Sequence, residues 1–126
     1  MALPAPRIGQ DLVAVGRFRQ ALGRQGAGFE RRVFTASEWA WSASKADPAP
    51  YLAACFAAKE AAFKALGSGW GQGVAWRDVE VVSEGRELRL AGRAAAIAAE
   101  SDLELSVSLA HTAETAIAMV VAQPSA

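Results

Sequence analysis

Phe56-Ala57-Ala58-Lys59-Glu60-Ala61-Ala62-Phe63-Lys64-Ala65-Leu66-Gly67-Ser68-Gly69 is the stretch on which the fold turns. Seven alanines between 53 and 65 favour a helix. Pro50 suits its first turn and Gly67 its end, so a helix is predicted over about 50–66. Leu52, Phe56, Phe63 and Leu66 fall on one apolar stripe. Lys59 projects near the middle of that stripe, where the plain reading is a snorkelling side chain. Glu60 and Lys64 sit four residues apart at its edge and, taken alone, read as a surface ion pair. Four glycines in residues 67–73 then make a loop with little side-chain bulk. The loop follows a helix C-terminus, so the helix dipole does not favour phosphate there. It suits a turn, or a ligand's close approach to backbone.

Outward from this helix, strand and helix signals do not alternate as regular βαβ units. Residues 7–13, Arg7-Ile8-Gly9-Gln10-Asp11-Leu12-Val13, read as a first strand. A helix is predicted over about 13–23, ending near Gly23, with a basic connector over 24–34. Thr35 to Ser42 reads as a short helix, with Thr35 or Ser37 as cap and Glu38 placed as in a capping box. Residues 45–50 read as a loop with two prolines. Strand-like runs at 78–82 and 87–91 precede a short helix at 93–100. Within 103–111, Leu103, Leu105, Val107, Leu109 and His111 share one face, and Ser106, Ser108 and Ala110 the other. A turn at 112–115 leads to a last strand at 116–122. Residues 1–126 are expected to form a single α+β domain, an antiparallel sheet packed with the long helix.

The chain has 126 residues, 52% hydrophobic and 21% charged, with zero formal net charge. These values fit a globular domain with a small core rather than a disordered chain. Neutral charge provides no global field for nucleic acid, and no nucleic-acid partner is expected. Arg17, Arg19, Arg24, Arg31 and Arg32 still make a local basic cluster. With Cys55 as the one cysteine, no intrachain disulfide can form, which fits a reducing compartment. One cysteine and one histidine do not build a usual zinc site, so a metal would rest on carboxylates, favouring magnesium. No apolar run approaches the roughly 18 residues of a membrane helix. The N-terminus lacks a secretory pattern, and a cytoplasmic protein with no membrane contact is expected.

Two more residues stand out. If the first strand continues, Asp11 shares a face with Val13 and Val15, where a carboxylate is costly unless paired or bound to a cation. The plainer alternative is a helix N-cap. His111 ends an apolar strand face, either as a satisfied edge residue or as a base or phosphate contact.

Together these blocks resemble the holo-acyl-carrier-protein synthase family, within the 4'-phosphopantetheinyl transferase superfamily. Ile8-Gly9-Gln10-Asp11-Leu12-Val13, then Arg17-Phe18, is similar to the family's opening. Arg32-Val33-Phe34-Thr35-Ala36-Ser37-Glu38 resembles its second block, and residues 56–69 its most specific one. Val107-Ser108-Leu109-Ala110-His111-Thr112 and Ala116-Ile117-Ala118 resemble its closing hairpin.

The resemblance implies a trimer-forming transferase with active sites at the subunit interfaces. It would move the 4'-phosphopantetheine arm of coenzyme A to a serine of an acyl carrier protein, releasing 3',5'-ADP. Asp11 and Glu60 would hold magnesium against the pyrophosphate, with Glu60 also the candidate base. Lys64 would contact the phosphates. Gly67, Ser68 and Gly69 would line the nucleotide pocket, and His111 and Thr112 would approach the nucleotide across a subunit boundary. Arg17 would help dock the carrier protein. Four departures accompany the match. Cys55 replaces an arginine suited to the nucleotide's 3'-phosphate, which implies a weakened contact partly replaced by Lys45, Arg86 or another basic residue. Ala110 replaces a serine or threonine, Gln10 a small apolar residue, and Arg86-Glu87 a Lys-Pro pair. The alternative is a family-like trimeric module that binds coenzyme A or carrier protein with little transfer.

Overall fold

The computed structural model describes residues 5–67 and 73–125. Strand β1 (Arg7–Ala14) leads into helix α1 (Val15–Val33), followed by α2 (Ala36–Ala43) and α3 (Ala49–Leu66). Hairpin β2 (Val79–Val82) and β3 (Glu87–Leu90), helix α4 (Gly92–Glu100), and strands β4 (Leu103–His111) and β5 (Thr115–Pro124) complete the chain. The strands form two antiparallel sheets, β1-β5-β4 and β2-β3. This is the expected α+β architecture.

Helix α3 is the central element. Its N-terminus carries Pro50 in the first turn, and Gly67 ends it with a left-handed φ of 71° that an L side chain rarely adopts. Burial on α3 is nearly all-round rather than one stripe, because the three-stranded sheet covers one side while α1, α2 and β2 pack on the others. Helix α3 packs on β5, and alanine at 53, 57, 58, 61, 62 and 65 is fully enclosed, as are Ala116, Ala118, Val120 and Ala122 of β5. Small residues on both surfaces allow helix and sheet to approach closely. Larger buried side chains such as Leu52, Phe34 and Val120 each contribute about 1.5–3 kcal/mol by leaving water.

The opposite face of the sheet is uncovered within the chain. Ile8, Leu12 and Met119 are 62%, 63% and 43% exposed. Their strands place them on one face, since Gln10 pairs with Met119 and Leu12 with Ile117.

One predicted boundary is corrected. Helix α1 does not stop near Gly23 but runs to Val33, with a break at Gly26 (φ 74°). The expected connector at 24–34 is therefore mostly helical. Phe18 and Val33 at either end of α1 are buried, and that packing outweighs the local cost of four glycines.

Candidate active site

Asp11 lies within β1, on the face turned toward α3, and its side chain is 17% exposed. It is not a helix cap: α1 is preceded by Ala14, with no side-chain cap bond. Lys64 donates to the Gln10 carbonyl at 2.9 Å and to Asp11 Oδ1 at 3.3 Å. Lys64 thus bridges α3 to β1 rather than forming the surface pair with Glu60.

Glu60 is half-buried one helical turn before Lys64. Burial, then the negative charge of Asp11, holds its carboxyl above the ordinary value, while Lys64 opposes the shift. Two carboxylates and a lysine therefore feel one another from two elements adjacent only in space. Among the described residues, no three His, Cys, Asp or Glu side chains gather into a fuller metal cage. Gly67 caps α3 one turn beyond Lys64, and Ser68 and Gly69 lie outside the described residues. Arg17 is exposed on α1.

A second locus lies at the other end of α3. A cavity of about 400 Å³ is lined by Trp41, Tyr51, Arg86, Leu109 and His111, among others. The His111 and Tyr51 rings meet edge to face at 4.6 Å, and Lys45 Nζ stands 5.1 Å from the Tyr51 ring centre. Trp41 Nε1 is buried without a hydrogen-bond partner. Thr112 Oγ1 accepts from the Glu114 and Thr115 amides, fixing the β4–β5 turn. Helical rise separates Tyr51 from Lys64 by about 20 Å, so one chain does not join this cavity to the Asp11 cluster.

Sequence reading missed one buried constellation. Lys59 does not snorkel: it and Glu38 are both fully enclosed and paired at 2.9 Å. Glu38 also makes the predicted capping box with Thr35. A lysine between helix turns of alanine was the available signal; its partner lies 21 residues away, and nothing local in the sequence marks the pairing. Cys55 is fully enclosed too, so it borders no ligand surface described here.

This α+β chain, with acidic and basic side chains converging where a central helix meets a strand, carries the architecture of a phosphopantetheinyl-transferring enzyme. It belongs to the 4'-phosphopantetheinyl transferase superfamily, whose family model matches residues 7–120. Its curated relatives include holo-[acyl-carrier-protein] synthase of Chlamydia pneumoniae, 41% identical over 91% of this chain and 94% of the relative. The enzyme of the same name from Methylobacterium nodulans is 53% identical over 71% and 70% of the two chains. Among solved structures, the Chronobacterium ammoniagenes ACPS–CoA complex superposes with a TM-score of 0.83 at 32% identity, covering 98% of this chain and 100% of that one.

Proposed function

We propose that this chain is a holo-[acyl-carrier-protein] synthase. It transfers 4'-phosphopantetheine from coenzyme A to a carrier-protein serine and releases 3',5'-ADP. The observation that carries this is the convergence of Asp11, Glu60 and Lys64, on a chain similar to such synthases over nearly its whole length. The similarity to an ACPS–CoA complex supports coenzyme A as the donor.

Magnesium fits the donor set. Asp11 and Glu60 supply two carboxylates, the charge of Asp11 opposing ionisation of Glu60, and a hard cation with waters and substrate phosphates suits such a pair. Bound there, magnesium would neutralise charge on the pyrophosphate. Lys64, one turn from Glu60, is placed to donate to a phosphate oxygen as negative charge builds on the leaving group. The serine oxygen attacks the phosphorus bearing the pantetheine, the bond to the bridging pyrophosphate oxygen breaks, and the serine proton is lost. Glu60 is the candidate base for that proton.

The cavity beside His111 and Tyr51 suits the nucleotide end, with aromatic faces for the base and Arg86 for phosphate. Its distance from Lys64 within one chain supports a homotrimer, in which one copy's His111 and Thr112 meet another's Asp11, Glu60 and Lys64. The apolar outer face bearing Ile8, Leu12 and Met119 is the surface suited to that assembly. The chain works as one domain in the cytoplasm; no described helix is long and apolar enough to cross a membrane. Arg17 serves carrier docking, through attraction to an acidic partner.

The test is incubation with coenzyme A, magnesium and an apo acyl carrier protein, read by mass spectrometry. The carrier gains one phosphopantetheine. No gain with any apo carrier, while coenzyme A still binds, would favour the binding-module alternative.

A further inference from the structure

The loop joining β2 to β3 has an uncommon backbone. Ser83, Glu84 and Gly85 follow one another with φ of 53°, 57° and 88°. All three lie in the left-handed region, and two of them carry the Cβ that makes it costly. Glycine or asparagine would form such a turn with less strain. Strain of this kind persists only where the surroundings over-determine it. Here the strand register closes the loop from both sides, Val82 facing Glu87. Gly85 is held against β4 and α2: a Cβ there would stand 3.1 Å from Leu109 Cδ1 and 3.4 Å from Trp41 Cη2.

The turn delivers Arg86 to the wall of the cavity that Tyr51 and His111 also line. The Ser83 carbonyl accepts twice from Arg86, from its backbone amide at 3.3 Å and from its Nε at 3.1 Å. A guanidinium carries five N–H donors in a planar fork, so a bond through Nε leaves the terminal nitrogens for an anion. Among the described residues, no carboxylate forms an ion pair with Arg86. A free guanidinium sharing a cavity with aromatic rings is the chemistry that grips a phosphorylated base. A lysine has one nitrogen and offers a point charge without the fork.

We propose that the left-handed turn is a positioning device. Ser83 and Gly85 hold Arg86 so that its terminal nitrogens bind a phosphate of the nucleotide, and the arginine fork, not positive charge alone, sets that affinity. This deepens the transferase reading and rests on its choice of this cavity for the nucleotide. Arg86 touches the ligand; Gly85 acts only through Arg86.

The test titrates the full-length protein with 3',5'-ADP by calorimetry and follows steady-state kinetics with coenzyme A. Arg86→Ala is expected to weaken 3',5'-ADP binding about tenfold, as for a lost charge-assisted bond, and to raise KM for coenzyme A by a similar factor with kcat nearly unchanged. Arg86→Lys should lose most of the same affinity. Adenosine, which lacks phosphate, should bind both Arg86 variants as it binds the wild type. Gly85→Ala should weaken 3',5'-ADP binding about as much as Arg86→Ala, and the two combined no further, since both remove one interaction. Arg86→Lys binding 3',5'-ADP like the wild type, or losses that add in the combined variant, overturns the proposal. If Gly85→Ala does not fold, Arg86→Lys decides, because Arg86 is exposed and its replacement leaves the core intact. A wild type that shows this binding pattern yet modifies no carrier sinks the transferase reading and leaves the turn standing. A wild type that transfers normally, with no loss on Arg86→Ala, sinks the turn alone.

Discussion

Gly9 of β1 lies against Ala61 of α3, so close that a Cβ on Gly9 would stand 1.8 Å from the Ala61 carbonyl oxygen. It would also meet the Ala65 amide nitrogen at 2.8 Å. Both obstacles are backbone, which does not swing aside. This contact seats β1 on the helix and carries Asp11, two residues on, toward Glu60 and Lys64. Gly9→Ala is therefore expected to push strand and helix apart, costing about 1–3 kcal/mol or more by overpacking. Thermal melting would fall by several degrees and transfer would be lost. A variant with wild-type melting and rate would contradict the contact.

Removing either carboxylate should end transfer without unfolding the protein. Asp11→Ala and Glu60→Ala each delete a partly exposed group whose net contribution to stability is about 1 kcal/mol or less. Circular dichroism should stay native-like, while mass spectrometry shows no modified carrier. A Glu60→Ala enzyme working at the wild-type rate in magnesium would exclude Glu60 as ligand or base.

Assembly should follow the apolar outer face. Light scattering is expected to give a trimer for the wild type. Leu12→Asp places a charge where the chain presents Ile8, Leu12 and Met119, and should yield smaller species with little transfer. A fully active monomer would sink the interface-site arrangement.

Cys55 should behave as an inert core group. Burial, and then the charge of Glu38, pushes its thiol far above the ordinary value. Iodoacetamide should therefore label it only as the protein opens, with labelling tracking denaturant unfolding. Its enclosure also leaves position 55 with no contact to a 3'-phosphate. Coenzyme A and its 3'-dephospho form should bind within about tenfold of each other. A hundredfold preference would assign that phosphate to Lys45 or Arg86.

Glu60 gives stability a pH signature. Its folded carboxyl titrates above its ordinary value of 4.5, so between the two values the folded protein keeps a proton that the unfolded chain has released. Stability must then fall as pH rises through that window, the reverse of an ion-paired aspartate. Melting temperatures in metal-free buffer should show this decline for the wild type and lack it for Glu60→Gln. Identical profiles would show that the carboxyl is not raised.

Much of the fold was legible locally. The alanine-rich run, Pro50 and Gly67 bounded α3 because propensity and capping act within a few residues. The alternation at 103–111 predicted β4 because strand side chains repeat every second residue. Asp11, Glu60 and Lys64 were picked out through their motif blocks. Their isolated readings, a cap and a surface pair, both failed.

What tertiary structure alone decided were the partners. Lys64 turned to Asp11 rather than Glu60 because Gly9 brings β1 onto α3 across more than fifty residues of chain. Lys59 went inward because Glu38 and two backbone carbonyls await it there. Helix α1 passed Gly23 because its ends pack on the core. Sequence by itself determined the elements and the residues able to do chemistry, since propensity and periodicity are properties of neighbours along the chain. Pairing of charges and burial of polar groups depend on contacts between distant segments, and those exist only once the chain has folded.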